Sequence, residues 1–410
     1  MATRSIYALS AGAFALLASG CVLTTDTDPT MLCVEDPVCP AGYSCVDGSC
    51  VAGGGGGGDG SGGGDGSGGG DGSGGGGDEL PAGYAYRVQL TFDNADRGQL
   101  DEFPVLVTLT GDFDYASVRE DGADIEFRDG DGTLLAHDVE TWETGGTSQL
   151  WVSVPVIEGA TGADFIWMYY GDAEASVLED EAGVWSSYRA VYHMDGGETV
   201  TDATAQGYDG TPVGTTSVGG MIGGARDFNG TTDYVDLGTQ RDLARNAPGV
   251  TVEGWMEPGA IAAPAVALGV AISGGTSSRV QIRAQADAIL EGGARTADGG
   301  DLLSADGDAL AADTWIWVAV ALDFAGDTIT IYEDGVPAIV STPVGFAPAT
   351  PDTPSSQAVI GADENLTQNF WLGALDEVRI SDDAKSGDWI SAQYASMTGQ
   401  LISFGTPEAL

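Results

Sequence analysis

From Tyr84 onward the chain is written in short apolar alternations, and this texture constrains the fold more than any other feature. YRVQLTF, FPVLVTL, DIEFRD, SQLWVSVPV and ADFIWMYYG follow one another, broken by Gly, Asp and Asn. Alternation places every second side chain on one face of a pleated strand, and no sustained helical period intervenes. DGDG between two of these runs supplies a tight hairpin turn. Residues 81–180 are therefore expected to form a β-sandwich. Residues 181–410 continue the pattern with YRAVYHM, VTVEGWMEP, WIWVAVALDF, DTITIYEDG and LGALDEVRIS. Helical candidates are confined to RDLARNA (241–247) and KSGDWISAQYASM (385–397). At 410 residues there is room for two or three domains, each burying its own core. The fold class expected is all-β, with two sandwich domains.

What precedes Tyr84 has a different character. Residues 1–20 carry Arg4 and then the apolar run IYALSAGAFALLAS, too short to cross a bilayer. Ala18, Ser19 and Gly20 stand directly before Cys21, and LASGC resembles the lipobox of bacterial lipoproteins. The resemblance implies cleavage before Cys21 and acylation of its thiol and new amino terminus. Several acyl chains anchor firmly, so the mature protein is expected to sit on a membrane without spanning it. In that family Asp after the lipidated cysteine favours inner-membrane retention. The residue here is Val22, which directs the expectation to the outer membrane or cell surface of a Gram-negative bacterium.

Segment 21–52 also holds Cys33, Cys39, Cys45 and Cys50. An even set at tight spacing in an oxidising compartment reads as a disulfide knot, with three pairings open. No CxxC pair is present to favour zinc. Residues 53–78 are Gly, Ser and Asp in near-repeat, without the apolar positions a calcium-binding β-roll needs, so a flexible tether is expected over 53–80.

Two resemblances sharpen the reading of the sandwiches. YRVQLTFDN, FPVLV, DGADIEFRDGDGTLLAHDVETWE, LWVSVPVI and MYYGD, in that order, resemble the bacterial family DUF2341, for which no chemistry is established. VYHMDGGETVTDATAQGYDGTPVG, ARDFNGTTDYVDLG, VTVEGWMEP and IGADENLTQNFWLGALDEVRISDDA together resemble the LamG-like, concanavalin A-like jelly rolls. This resemblance implies a jelly roll over 181–410 and brings two functional classes into view, glycan or protein recognition and glycoside hydrolysis. The cysteine pair of many LamG-like domains is missing here.

Charge removes other classes. Formal net charge is −48, with 14 basic residues and Lys385 as the one lysine. Phosphate backbones and anionic headgroups need basic partners, so nucleic acid is excluded and membrane contact is left to the lipid anchor. The β-glucanases of the jelly-roll clan set Glu and Asp on alternate positions of one strand, E-x-D-x(-x)-E. No Asp here has a Glu two positions earlier. Asp376 and Glu377 are adjacent, so on a regular strand they point to opposite faces and cannot flank one bond. His137 and His193 fall in different domains, complete no Ser-His-Asp or three-His set, and His193 reads as a core or strand-end residue. Every cysteine lies upstream of the tether.

Calcium is the remaining chemistry. Jelly-roll modules frequently place a structural Ca²⁺ between first and last strands, and hard cations take carboxylate and carbonyl oxygens. Here that would join Asp195 to Asp376, with Asn229 as a further ligand. The competing account has Asp376 ending a strand and Arg379 pairing with a nearby carboxylate. Leu372, Leu375 and Val378 cannot share a face on a regular strand, so a bend or bulge is expected at Gly373–Ala374. Trp255, Trp315, Trp317, Trp371 and Trp389 are available for stacking on sugar, although each is more naturally core. The expectation is a non-catalytic, lipid-anchored surface protein whose jelly roll binds glycan or a surface protein. The alternatives are a carbohydrate-active enzyme and a structural or adhesion protein.

Overall fold

The computed structural model describes residues 43–46, 49–52 and 81–410, except 240, 272–277 and 343. The chain divides into two compact units, Met1–Gly75 and Gly76–Leu410. In the first, strands Tyr43–Val46 and Ser49–Ala52 pair antiparallel with Cys45 opposite Cys50. Cys21, Cys33, Cys39 and segment 53–80 lie outside the described residues, so the expected lipidation, knot and tether are not placed.

The second unit holds both sandwiches. In the first, Phe165–Tyr170 lies between Tyr86–Phe92 and Glu126–Asp129. The facing sheet orders Leu100–Leu109, Ser148–Ile157 and His137–Thr141. Alternation in the sequence becomes a core of Leu90, Phe103, Phe127, Trp151 and Ile166, all buried. Each such side chain contributes about 1.5–3 kcal/mol relative to exposure.

In the second sandwich a seven-stranded sheet runs Thr211–Val213, Tyr234–Gly238, Ala358–Ile360, Ala265–Ala271, Ser278–Ala284, Ile289–Ala294, Leu303–Ala309. The facing sheet runs Thr216–Gly219, Gly224–Asn229, Leu372–Ser381, Gly249–Pro258, Ile316–Asp323, Thr328–Glu333, Val336–Ser341. Ala190–Tyr192 adds to it beside Leu372–Ser381. Between the sheets lie Val252, Val280, Ile282, Val320, Ile360 and Trp371.

The outer face of this second sheet is not free. Trp255, Trp317, Ala319 and Ala321 share one core cluster with the first sandwich. The amphipathic helix Gly387–Met397 contributes Trp389, Ile390 and Ala395 to that cluster. It begins where expected, with Ser386 as N-cap accepting the Trp389 amide at 3.2 Å. Its Ser396 hydroxyl accepts the Leu106 amide at 2.8 Å, tying helix to first sandwich.

Three expectations are corrected. RDLARNA forms no helix: Asn246 sits at φ 49°, Pro248 follows closely, and Leu243, Ala244 and Ala247 are drawn into the jelly-roll core. The division at 180 does not separate two independent chains of strands. Ile402–Phe404 and Glu408–Ala409 return to pair with Tyr86–Phe92, closing the first sandwich with the end of the chain. The bulge in Leu372–Ser381 is not at Gly373–Ala374. Pairing with Gly249–Pro258 continues through both and shifts between Trp255↔Asp376 and Glu253↔Arg379, where Glu377 takes φ 51°.

Candidate functional site

That bulge builds the most unusual part of the molecule. One extra residue lets Leu375, Val378 and Ile380 all reach the jelly-roll core. It also turns Asp376 and Glu377 away from that core, toward the first sandwich, instead of to opposite faces. Both are 0% exposed. Asp376 is accordingly within the strand, not at its end.

Around Glu377 the two sandwiches assemble a buried charge cluster. His193 follows the strand Ala190–Tyr192. Its Nδ1 lies 2.7 Å from Glu377 Oε1 and 2.8 Å from Glu140 Oε2, the latter from the first sandwich. Its Nε2 is 3.4 Å from Asp138 Oδ2, which also accepts the Trp185 indole N–H at 3.3 Å. Glu377 Oε2 accepts Arg379 Nε at 3.0 Å. The guanidinium lies against the rings of Trp151 and Trp185, which meet edge to face, 4.3 and 4.6 Å from their centroids. Glu253, which accepts the Tyr188 hydroxyl at 3.0 Å, faces Arg379 from the other side.

Negative charge is in excess here, and the protonation states respond. Burial pushes the Glu140 carboxyl up to about 7, although His193 opposes the shift. Burial, then Glu377, raises Asp376 well above the usual carboxylate range. Burial disfavours charge on His193, but Glu377 and Glu140 outweigh it and hold the ring well above its ordinary value. Glu377 itself is lowered: burial resists, while His193 and Arg379 prevail. Strong perturbation at a defined charge cluster marks a candidate functional site.

The glycine turn GGMIGG closes one side. Asp376 Oδ2 accepts the amides of Met221 and Ile222 at 2.7 and 3.0 Å. Asp195 accepts the Gly224 amide at 3.0 Å. Gly223, at φ 59°, lies so near Glu140 that a Cβ there would meet Oε1 at 2.3 Å. Asp195 and Asp376 thus bind opposite parts of one turn through its N–H groups. Asn229 does not join them. It pairs with Leu372, four positions from Asp376, and organises its own turn by accepting the Thr231 and Thr232 amides. The three expected calcium ligands therefore do not converge. Two other groups have metal-binding spacing among the described residues: Glu140, His193 and Glu377, and Asp138, Glu181 and His193. The second borders a cavity of about 360 Å³ lined by Glu181, His193, Asp195 and Thr199. Sequence alone shows Glu377, Arg379 and His193 as residues, but nothing local pairs them with Glu140.

A separate polar surface occupies the outer face of the seven-stranded sheet. Val280, Ile282 and Ala284 point to the core, so Gln281 and Arg283 point away. Gln281 pairs with Gly269 on one side and Gly293 on the other, so neither paired residue sets a side chain beside it. Arg283 donates two bonds to Glu291, both 2.9 Å, and Gln285 bridges Glu291 and Asp306 at 3.1 and 2.7 Å. Ser278, at the other end of the strand, donates to Glu364 at 2.8 Å. The Gln281 side-chain amide nitrogen is buried without a hydrogen-bond partner. Trp255, Trp317, Trp371 and Trp389 are buried and so closed to a sugar, while Trp315 is partly buried against the shared core.

The family comparisons agree with this architecture. Residues 121–205 match the family "Domain of unknown function (DUF2341)", and residues 229–391 match Laminin_G_3, the concanavalin A-like lectin/glucanases superfamily. The chain carries a DUF2341 domain followed by a concanavalin A-like domain. The DUF2341 match runs past residue 180, so Asp138, Glu140, Glu181 and His193 fall within it, while Glu377 falls within the concanavalin A-like match. No curated protein matches the chain. Similar solved structures include domain 4 of AbnA, a GH43 extracellular arabinanase from Geobacillus stearothermophilus, in complex with arabinotriose. It is 17% identical with TM-score 0.39, covering 50% of this chain and 97% of that one. The botulinum neurotoxin serotype G binding domain is 11% identical with TM-score 0.39, and the chain spans 50% of its length. A heptameric SAP-like pentraxin from Limulus polyphemus is 15% identical with TM-score 0.33, covering 41% of this chain and 80% of that one.

Proposed function

We infer that this is an exported, lipid-anchored surface protein whose concanavalin A-like domain recognises carbohydrate without cleaving it. The observation that carries the reading is the glycine-flanked polar strip around Gln281. A strip edged by Arg283, Glu291, Gln285 and Asp306, with Gln281 and Glu291 themselves buried, offers both donors and acceptors, as hydroxyl-rich ligands require. The opposite sheet has its outer face occupied by the DUF2341 domain and the 387–397 helix, so it offers no competing floor. Against hydrolysis stands the layout of the carboxylates. Glu291 is committed to Arg283, and the buried pair Asp376 and Glu377 is committed to backbone amides, Arg379 and His193.

A glycan array probed with the whole chain tests this. Saturable binding to a defined glycan class is expected, and Gln281→Leu should weaken it at least about tenfold, the cost of a lost buried hydrogen bond. Binding confined to protein ligands, or cleavage of any polysaccharide, would overturn the assignment. The location rests on LASGC and Cys21. Cys21→Ser should move the protein from the membrane to the soluble fraction, and persistence in the membrane would count against acylation.

A further inference from the structure

We propose that Glu140, His193 and Glu377 form a binding site for one divalent first-row transition ion of the Zn²⁺ type, which clamps the DUF2341 domain to the concanavalin A-like domain. The donor set comes from both domains: Glu140 from the 137–141 strand, His193 and Glu377 from either side of the Ala190–Tyr192 pairing. One imidazole nitrogen, His193 Nδ1, stands between the two carboxylates and cannot satisfy both. The Glu140 side chain is 1% exposed, and neither carboxylate oxygen has a hydrogen-bond partner, although Oε2 is 2.8 Å from His193 Nδ1. A buried carboxylate whose one near donor is an imidazole nitrogen contested by a second carboxylate, and whose Oε1 has no partner, is what a cation would complete.

The surroundings are those of ligating groups. Metal-bound imidazole characteristically directs its other nitrogen at a carboxylate, and His193 Nε2 faces Asp138, itself fixed by the Trp185 indole. Ligating carboxylates are in turn hydrogen-bonded, and the second oxygen of Glu377 is held by Arg379. The imidazole argues for a borderline ion over Ca²⁺, whose preference is for oxygen alone. Zinc bonds of about 2.0–2.2 Å would set the donors roughly 3.3 Å apart, so the observed 2.7 and 2.8 Å contacts need open by about half an ångström. Asp138 lies on the Nε2 side and Glu181 borders the open cavity, and both serve orientation in this scheme.

The test uses the full chain without reductant, stripped by chelator and titrated with Zn²⁺ while heat release and thermal unfolding are followed. One saturable equivalent is expected to disappear in Glu140→Gln, with affinity down at least about a hundredfold, and to survive in Glu181→Gln. Unfolding should shift upward with Zn²⁺, by about 2.7 kcal/mol at a hundredfold excess over Kd, and excess Ca²⁺ should not reproduce the shift. His193→Gln provides a second loss should Glu140→Gln fold poorly. Equal unfolding temperatures in Zn²⁺ and chelator would overturn the site, as would unchanged binding in both Glu140→Gln and His193→Gln, which would place the ion elsewhere. Loss in Glu181→Gln with retention in Glu140→Gln would refute this ligand set as well.

Discussion

His137 shows how one residue's surroundings set its charge. It is 3% exposed in the DUF2341 domain, its ring against Phe127 and its Nδ1 without a hydrogen-bond partner. Burial lowers its pKa below 6.5, although Asp138, Glu126 and Asp180 pull the other way. Because the folded value is the lower one, the unfolded chain binds the proton first, and stability rises with pH across that interval. The contribution is complete above 6.5 and is lost as pH falls toward the folded value. Raised carboxyls such as Asp376 titrate with the opposite sign, so the comparison must be between proteins. His137→Gln should lose less stability than the parent between about pH 7.5 and about pH 5.5 in urea unfolding. Parallel curves for the two proteins would show that His137 is not the source. The sequence displays His137 and His193 alike. What separates them, one buried neutral and the other ringed by carboxylates, is tertiary and leaves no local trace.

At the scale of elements the alternating pattern was a sound guide wherever the strand is regular and a poor one at its exceptions. LGALDEVRIS announces an irregularity, because Leu375 and Val378 are three apart yet both apolar. The location does not follow, since glycine is the usual marker and Gly373 does take φ 120°. The shift falls instead opposite Gly254, where a Cβ would approach the Asp376 and Glu377 carbonyl oxygens to 3.4 Å. Glycine on the partner strand gives room for the bulge, and the left-handed strain is borne by Glu377, held by His193 and Arg379. The two helical candidates divide in the same way. SGDWISAQYASM carries its own cap and an apolar face, so it was legible. RDLARNA has helix-forming composition but ends in Asn-Ala with Pro248 next, and its apolar residues are claimed by a core it cannot reach as a helix.

For the whole molecule, the feature hidden from sequence is that the chain's end belongs to its beginning. ISF and EA are too short and too near the terminus to be read as strands, yet they supply the edge of the DUF2341 domain. Leu401 is fully buried and its carbonyl accepts the Asp93 amide at 2.7 Å. Gly405 and Leu410 donate to Gln89 and Ala85 at 2.8 and 2.9 Å. Ending the chain at Gln400 keeps the helix cap, where Gly399 takes φ 69° and the Gln400 amide bonds Ala395. It removes Leu401, whose loss alone corresponds to about 2–5 kcal/mol for a buried leucine, and opens the Tyr86–Phe92 strand as an unpaired edge. The Arg87–Glu408 pair adds little, being partly exposed. Because Trp255, Trp317 and the 387–397 helix share one core with the DUF2341 domain, the damage should not stay local. Calorimetry should show the truncated protein melting in one transition, several degrees below the parent, with both domains lost together. Two resolved transitions, the higher at the parent's temperature, would mean that the concanavalin A-like domain stands without its neighbour and that the shared core does not couple them.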